Sequence, residues 1–190
     1  MNRERLTMLA DYLNGVKEFK GRAPPSNKFD LELWQAPYKH FKKEFDLKGT
    51  PKKKPFKLKT IKIGEEKYRM SQPNECQTAG CAIGWAATIP EFIAQGFFLA
   101  ENSSRTKSNP FPCYVPPNKC HSILFEFDAI VGFFAITQEE SSKLFLERYY
   151  KPNQRRQPSI VANRIKSFLK TKTNDDRLKW RQKYDKQNIT

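Results

Sequence analysis

Thr137-Gln138-Glu139-Glu140-Ser141-Ser142-Lys143-Leu144-Phe145 is the stretch on which the fold turns. A Thr three residues ahead of a Glu is the capping-box arrangement, in which hydroxyl and carboxylate each satisfy a backbone N–H that a first helical turn leaves unpaired. Leu144-Phe145 add an apolar anchor, so the stretch predicts a helix running to Tyr149. Its position at a helix start also explains Glu139-Glu140 without catalysis, because carboxylates favour the positive end of a helix dipole.

Working outward, Pro158 and Ser159 open a second helix in which Ile160, Val161, Ile165, Phe168 and Leu169 fall mostly on one side, with Lys166 and Lys170 opposite. On the other flank, Ile123-Leu124-Phe125 through Val131-Phe133-Phe134 reads as an apolar helix. Thr78 to Gly96 reads as two buried helices broken at Ile89-Pro90-Glu91, with Gly96 ending the second. At the start, Leu6, Leu9, Leu13 and Val16 recur at helical steps, between an Asn2 cap and an Asn14-Gly15 stop. Arg22 to Asn27 breaks that helix, and Phe29 to Trp34 offers a short segment with Phe29, Leu33 and Trp34 facing inward.

The remaining segments lack this period. Residues 38–55 carry Lys52-Lys53-Lys54 between Pro51 and Pro55 and read as an exposed loop. Phe56 to Ile63 and Lys67 to Met70 alternate at period two around Gly64-Glu65-Glu66, which predicts a β-hairpin with a basic polar face. Residues 102–119 hold four prolines and read as a long connection. Lys172 to Thr190 is charged, and its Leu178, Trp180 and Tyr184 promise only weak docking, so a mobile, partly helical tail is expected. The fold class is therefore mainly α: a single compact helical domain at 1–172 with a basic loop and hairpin insertion at 38–69, followed by a basic C-terminal tail at 173–190.

Composition agrees with a folded chain. Hydrophobic residues make up 38% and aromatics 13%, including fifteen Phe, which is too much burial potential for disorder despite 29% charge. A length of 190 residues suits one well-buried core. The charged, amphipathic start Met1-Asn2-Arg3-Glu4-Arg5-Leu6 gives no expectation of export, and Gly80 to Ala100, interrupted by Pro90, Glu91 and Gln95, is a poor membrane span. Four cysteines in that setting are expected as reduced thiols. A cytosolic place, the cytoplasm of a bacterial host, follows as the expectation.

Candidate chemistry is sparse. Cys76-Gln77-Thr78-Ala79-Gly80-Cys81-Ala82-Ile83-Gly84-Trp85-Ala86-Ala87 is rich in small residues that permit close helix packing, and buried free cysteine behaves mainly as a small hydrophobe. Cys76, Cys81, Cys113 and Cys120, with His121, form an alternative zinc set, but the four-residue gap in the first pair and the longer gap from Cys113 to Cys120 argue against it. His40 and His121 sit in no catalytic signature, and there is no glycine-rich phosphate loop. Neither an enzyme nor a cofactor is expected.

Several features in order give the chain a resemblance. They are the N-terminal Leu-rich helix, Phe29-Asp30-Leu31 with Trp34, the Cys76, Thr78, Cys81-Ala82-Ile83-Gly84-Trp85-Ala86 motif, and Ile89-Pro90-Glu91-Phe92; Phe133-Phe134 before Thr137 and Leu144-Phe145, then Val161-Ala162-Asn163-Arg164-Ile165, complete them. On these the chain resembles an uncharacterised family of small phage and bacterial proteins, over residues 5–36 and 70–170. Gly often stands in such relatives at the place of Gln77, and the basic 38–69 segment reads as an insertion. The resemblance implies phage origin and fold, and no activity.

The net charge of +15 is concentrated. Residues 1–35 are net +1 and residues 70–150 net −3, whereas 36–69 carry 12 basic against 4 acidic groups, net +8, and 151–190 carry 12 against 3, net +9. Such concentration costs self-repulsion that a polyanion removes. Nucleic acid is the expected partner, with Lys42, Lys43, Lys52, Lys53, Lys54, Lys57, Lys59, Lys62, Arg155, Arg156, Lys166, Lys170, Lys179 and Arg181 as its contacts. Tyr38, Phe41, Phe45, Phe56, Tyr149, Tyr150, Trp180 and Tyr184 are expected to offer stacking faces. A nucleic-acid-bearing host complex, a ribonucleoprotein among them, belongs to the same expectation; the alternatives are an inhibitor or modulator of a host defence or gene-expression protein by direct protein contact, and a structural component of the virion. No membrane partner is expected, since neither basic segment has a strong apolar face.

Overall fold

The structure, a computed structural model, describes residues 1–15, 29, 31, 60–63, 66–70, 81–102, 111–117 and 123–185, with the backbone alone at 60–63, 66–70, 101 and 102. Among them it is mostly helical, with one small antiparallel sheet. Helix α1 (Arg3–Asn14) starts where the Asn2 side chain accepts the Arg5 N–H at 3.1 Å and stops at Gly15, which takes the left-handed φ of 61°. Its buried stripe, Leu6, Leu9, Ala10 and Leu13, faces Val161, Ala162, Ile165 and Phe168 of the helix that starts at Pro158, α6 below. Phe29 is buried as expected; Leu31, not among the expected inward residues, is buried too, and its N–H donates to the Arg155 carbonyl at 3.1 Å, while Leu33 and Trp34 lie outside the described residues.

Strands β1 (Thr60–Ile63) and β2 (Glu66–Met70) form the expected hairpin, with Ile63 opposite Glu66. The hairpin is continuous with the rest of the sheet, because Met70 of β2 pairs with Ala100 of β3 (Phe97–Asn102). Between them run two short helices, α2 (Ala82–Ala86) and α3 (Pro90–Ala94), broken at Ile89-Pro90 as the sequence suggests. Gly96, at φ 88°, then turns the chain from α3 into β3.

Residues 102–119 are not simply a connection: β4 (Phe111–Tyr114) lies there and pairs with β3. Prolines hid it. Pro112 faces Leu99, while the next strand, β5 (Leu124–Phe125), reaches only Cys113 and Tyr114. Pro112 therefore sits where β4 has a partner on one side, a place that tolerates a missing N–H. The five strands follow one another in sequence order across the sheet.

Leu124-Phe125 is also a correction, since the apolar run was expected to be helical from Ile123. Phe125 is extended, with φ −122° and ψ 153°, and α4 (Glu126–Phe134) begins only after it. A short apolar run does not distinguish strand from helix; pairing with β4 decides here. Gly132 lets α4 approach the sheet, for a Cβ there would meet Leu124 Cδ1 at 2.5 Å. The interface is aromatic, with Phe133 stacked on Phe97 at 4.5 Å and edge-on to Phe92 at 5.0 Å and Tyr114 at 5.2 Å.

Helix α5 (Gln138–Phe145) carries the complete capping box, Thr137 Oγ1 accepting from Glu140 N at 3.2 Å and Glu140 Oε2 from Thr137 N at 2.9 Å. It stops short of Tyr149. The Tyr150 hydroxyl donates to the Leu144 carbonyl and Arg164 Nη1 to the Lys143 carbonyl at 2.9 Å, so side chains satisfy the carbonyls that another turn would use. A 3₁₀ turn, Glu147–Tyr149, follows.

Helix α6 (Pro158–Leu169) begins at Pro158 as expected. The C-terminal segment departs most from expectation: in place of a loosely held tail, α7 (Asn174–Asp185) docks with Trp180 and Tyr184 buried and Leu178 exposed. Trp180 packs at 4.7 Å from Phe168 and 4.8 Å from Tyr184.

Gly96→Ala tests the turn into β3. A Cβ would lie 2.5 Å from the Val115 carbonyl oxygen at a φ that disfavours L-residues. The substitution should cost at least about 2 kcal/mol in urea unfolding, with the m-value unchanged.

Candidate nucleic-acid interface

The C-terminal basic segment is built on a charge network between α5 and α7. Glu140 has no solvent exposure and is gripped by the guanidinium of Arg177, Nε to Oε1 at 2.7 Å and Nη2 to Oε2. Arg181, one turn on, lies with Nη1 3.9 Å from Glu140 Oε1 and Nε 3.5 Å from Glu139 Oε2, in ionic range. Lys143 is 1% exposed and donates to Glu139 at 2.6 Å and Asp185 at 2.8 Å. Arg177, Arg181 and Asp185 recur every four residues, so one face of α7 meets Glu139, Glu140 and Lys143 on one face of α5.

Arg164 of α6 completes the arrangement. It is 5% exposed, with its guanidinium 3.5 Å from the ring centre of Tyr150 and 4.3 Å from that of Tyr184. A planar cation between two aromatic faces ties α6 to α7 while its Nη1 holds the end of α5.

These environments set the charge states. Burial pushes the Glu140 carboxyl upward, but hydrogen bonds from Arg177 and from the Thr137 cap outweigh it and hold the group below its ordinary value. Burial likewise opposes the Lys143 ammonium, yet Asp185 and Glu139 together raise it. Both groups are charged at neutral pH.

The expected nucleic-acid contacts are distributed unevenly. Lys42, Lys43, Lys52, Lys53, Lys54, Lys57 and Lys59 lie outside the described residues, and Lys62 is placed on β1 opposite Lys67. Lys170 at the end of α6 and Lys179 on α7 are exposed, as is Arg156. Arg155 is half-buried and donates from Nε to the Tyr150 carbonyl at 3.4 Å. Lys166 pairs with Asp11 at 2.9 Å, clipping α6 to α1. Arg181 turns inward, toward α5. The expected stacking faces are also displaced: Tyr150, Trp180 and Tyr184 are buried, because Arg164 and Phe168 need them as packing partners. Tyr38, Phe41, Phe45 and Phe56 lie outside the described residues.

Sequence reasoning passed over Arg164, Arg177, Glu140 and Lys143 as a unit, and also the exposed Lys172 and Lys183. The signal was present in the four-residue spacing of Arg177, Arg181 and Asp185 against Glu139 and Lys143.

Cys81 and Cys113 are buried free thiols, and Cys76 and Cys120 lie outside the described residues. Cys81 serves as the cap of α2, its Sγ 3.5 Å from the Gly84 N–H. Burial, with the nearby Glu126 charge, pushes the Cys113 thiol up to about 12, so it stays protonated and poorly nucleophilic at neutral pH. Among the described residues no three His, Cys, Asp or Glu side chains gather as a metal site, and no helix is long and apolar enough to cross a membrane.

No family model matches the chain, and no curated protein or solved structure is similar to it.

Two measurements test the network. Arg177→Ala leaves Glu140, which has no solvent exposure, without its main counter-charge and should destabilise the protein by about 3–5 kcal/mol. Stability should also carry the signature of both groups. The lowered Glu140 pKa contributes stability that is complete above its ordinary value of 4.5 and is lost as pH falls through the depressed value. The raised Lys143 pKa contributes stability that is complete below 10.5 and is lost as pH rises through the higher value. Urea titrations across pH should show a plateau between these limits, and Glu140→Gln should flatten its acid edge.

Proposed function

We propose that this protein binds nucleic acid without catalysing a reaction on it, through the basic segment 36–69 and the exposed lysines of the C-terminal region, in a phage accessory role. The observation that carries the reading is the division of charge: segments of net +8 and +9 on a body that is otherwise close to neutral. Lysines supply the attraction by displacing counterions condensed on phosphates, which favours contacts that do not depend on sequence.

The folded C-terminal region supports the reading in a particular way. Its acidic partners are few, and the α5–α7 network uses Arg177 and Arg181 internally while Lys170, Lys172, Lys179 and Lys183 remain on the surface. A non-enzymatic role is consistent with the protonated Cys113 thiol and with carboxylates engaged in capping and ion pairs. The phage setting rests on the resemblance carried by the Cys81-Ala82-Ile83-Gly84-Trp85-Ala86 motif and its companions.

A mobility-shift titration with single- and double-stranded DNA and RNA tests this directly. Retention at about 50 mM salt that weakens steeply toward 200 mM is expected. Failure to retain any of these at low salt removes the reading. Recovery of one stoichiometric protein from nuclease-treated host lysate, with no nucleic-acid shift, would transfer the charge to a protein partner.

A further inference from the structure

We infer that nucleic acid meets the C-terminal region on a lysine face formed by Lys170, Lys172, Lys179 and Lys183, which engages phosphates without stacking on bases, while α7 stays docked and its arginines take no part. The inference rests on the nucleic-acid reading above and specifies which groups at that surface touch the ligand.

From residue 164 to residue 185 every exposed basic residue is a lysine. Arg164 is buried, and Arg177 and Arg181 point toward α5, whereas all four of these lysines are exposed. Helical geometry accounts for it. Arg177, Trp180, Arg181 and Tyr184 share the docked side of α7, Lys179 falls on the opposite side, and Lys183 lies between, exposed, with Nζ 5.7 Å from the Tyr184 ring centre. Guanidinium suits the inward role because its planar fork matches a carboxylate, and the ammonium, a hydrated point charge, suits the outward one.

Recruiting the arginines would require α7 to leave α5. That would take Arg177 from Glu140, which has no solvent exposure, and would leave Lys143, which is 1% exposed, with Glu139 but without Asp185. Undocking would also expose Trp180 and Tyr184, so phosphates gained by two arginines would have to offset the broken ion pairs and the lost apolar burial together. The aromatic residues of this region argue the same way: Tyr150, Trp180 and Tyr184 are 3%, 5% and 7% exposed, so none of these three rings is open to an unpaired base. What remains is a charged face whose four lysines outnumber Asp175 and Asp176 beside them, suited to the backbone of a duplex.

The test uses the full chain and a fluorescent 20-base-pair duplex, with affinity followed by anisotropy from about 50 to 200 mM salt. Replacing Lys170, Lys172, Lys179 and Lys183 together by Gln should reduce the slope of log affinity against log salt by about 3.6, near 0.9 per lost phosphate contact. Thermal unfolding should be unchanged. R177Q should lower the melting temperature and leave the slope of the folded protein as it was. Because R177Q risks unfolding, hydrogen exchange on the wild type supplies a second measurement: amides of residues 174–185 should keep their protection when duplex binds.

A slope unchanged in the lysine variant, or reduced as much by R177Q, overturns the inference and leaves the broader reading standing. Loss of protection in α7 on binding also overturns it. If the wild type binds no nucleic acid, both fall together. Equal salt-dependent binding to phosphatidylserine vesicles, abolished by the same lysine substitutions, would assign the face to lipid headgroups and overturn it as well.

Discussion

Glu140 is a carboxylate with no access to water, and a charge in that position persists only when its surroundings replace the hydration it has lost. Three groups do so here. The Thr137 hydroxyl and backbone N–H fix the carboxylate at the start of α5, and Arg177 reaches across from α7 to pair with both oxygens. The same residue therefore caps one helix and anchors another. Neither task is separable from the other, since the rotamer that satisfies the cap also presents the oxygens to Arg177.

From that point the C-terminal third follows. With Arg177 fixed, the four-residue spacing brings Arg181 and Asp185 over Glu139 and Lys143, and Trp180 and Tyr184 fall on Phe168 and Arg164. Arg164 in turn holds Tyr150 and the last carbonyls of α5. Such a network contributes less to net stability than its number of contacts suggests, because each ion gives up hydration to enter it. Its larger effect is on specificity: α7 has a seat in which Arg177, Arg181 and Asp185 each meet an opposite charge on α5.

Much of the helical framework was legible because it is written in local signals. Asn2 and Gly15 bound α1, Pro158 opens α6, and Thr137 with Glu140 names the start of α5 within a few residues. The sheet was legible only in part. Its hairpin shows alternation and a turn, but β4 is obscured by Pro112 and β5 is two residues of an apolar run that local preference cannot assign. Their pairing is a tertiary fact. The docking of α7 was hidden for a different reason: its inward face is largely charged, so it lacks the apolar stripe by which a packed helix is usually recognised. A charged residue in the sequence does not declare whether it faces water or an opposite charge, and Arg181 and Lys179 differ in this although only two positions separate them.

The seam between α1 and α6 closes over a long stretch of chain. Arg3 donates to the carbonyls of Leu169 and Thr171, and the Arg3–Thr171 bond spans 168 residues. At about 5–20 residues per second, a ribosome takes roughly 10–30 s to make that interval. Throughout it, Leu6, Leu9 and Leu13 have been synthesised without Val161, Ile165 and Phe168 to cover them. The part of the apolar face of α1 that α6 covers thus waits for the C-terminal third of the chain, while α4 can already hold Asn2 and Arg5.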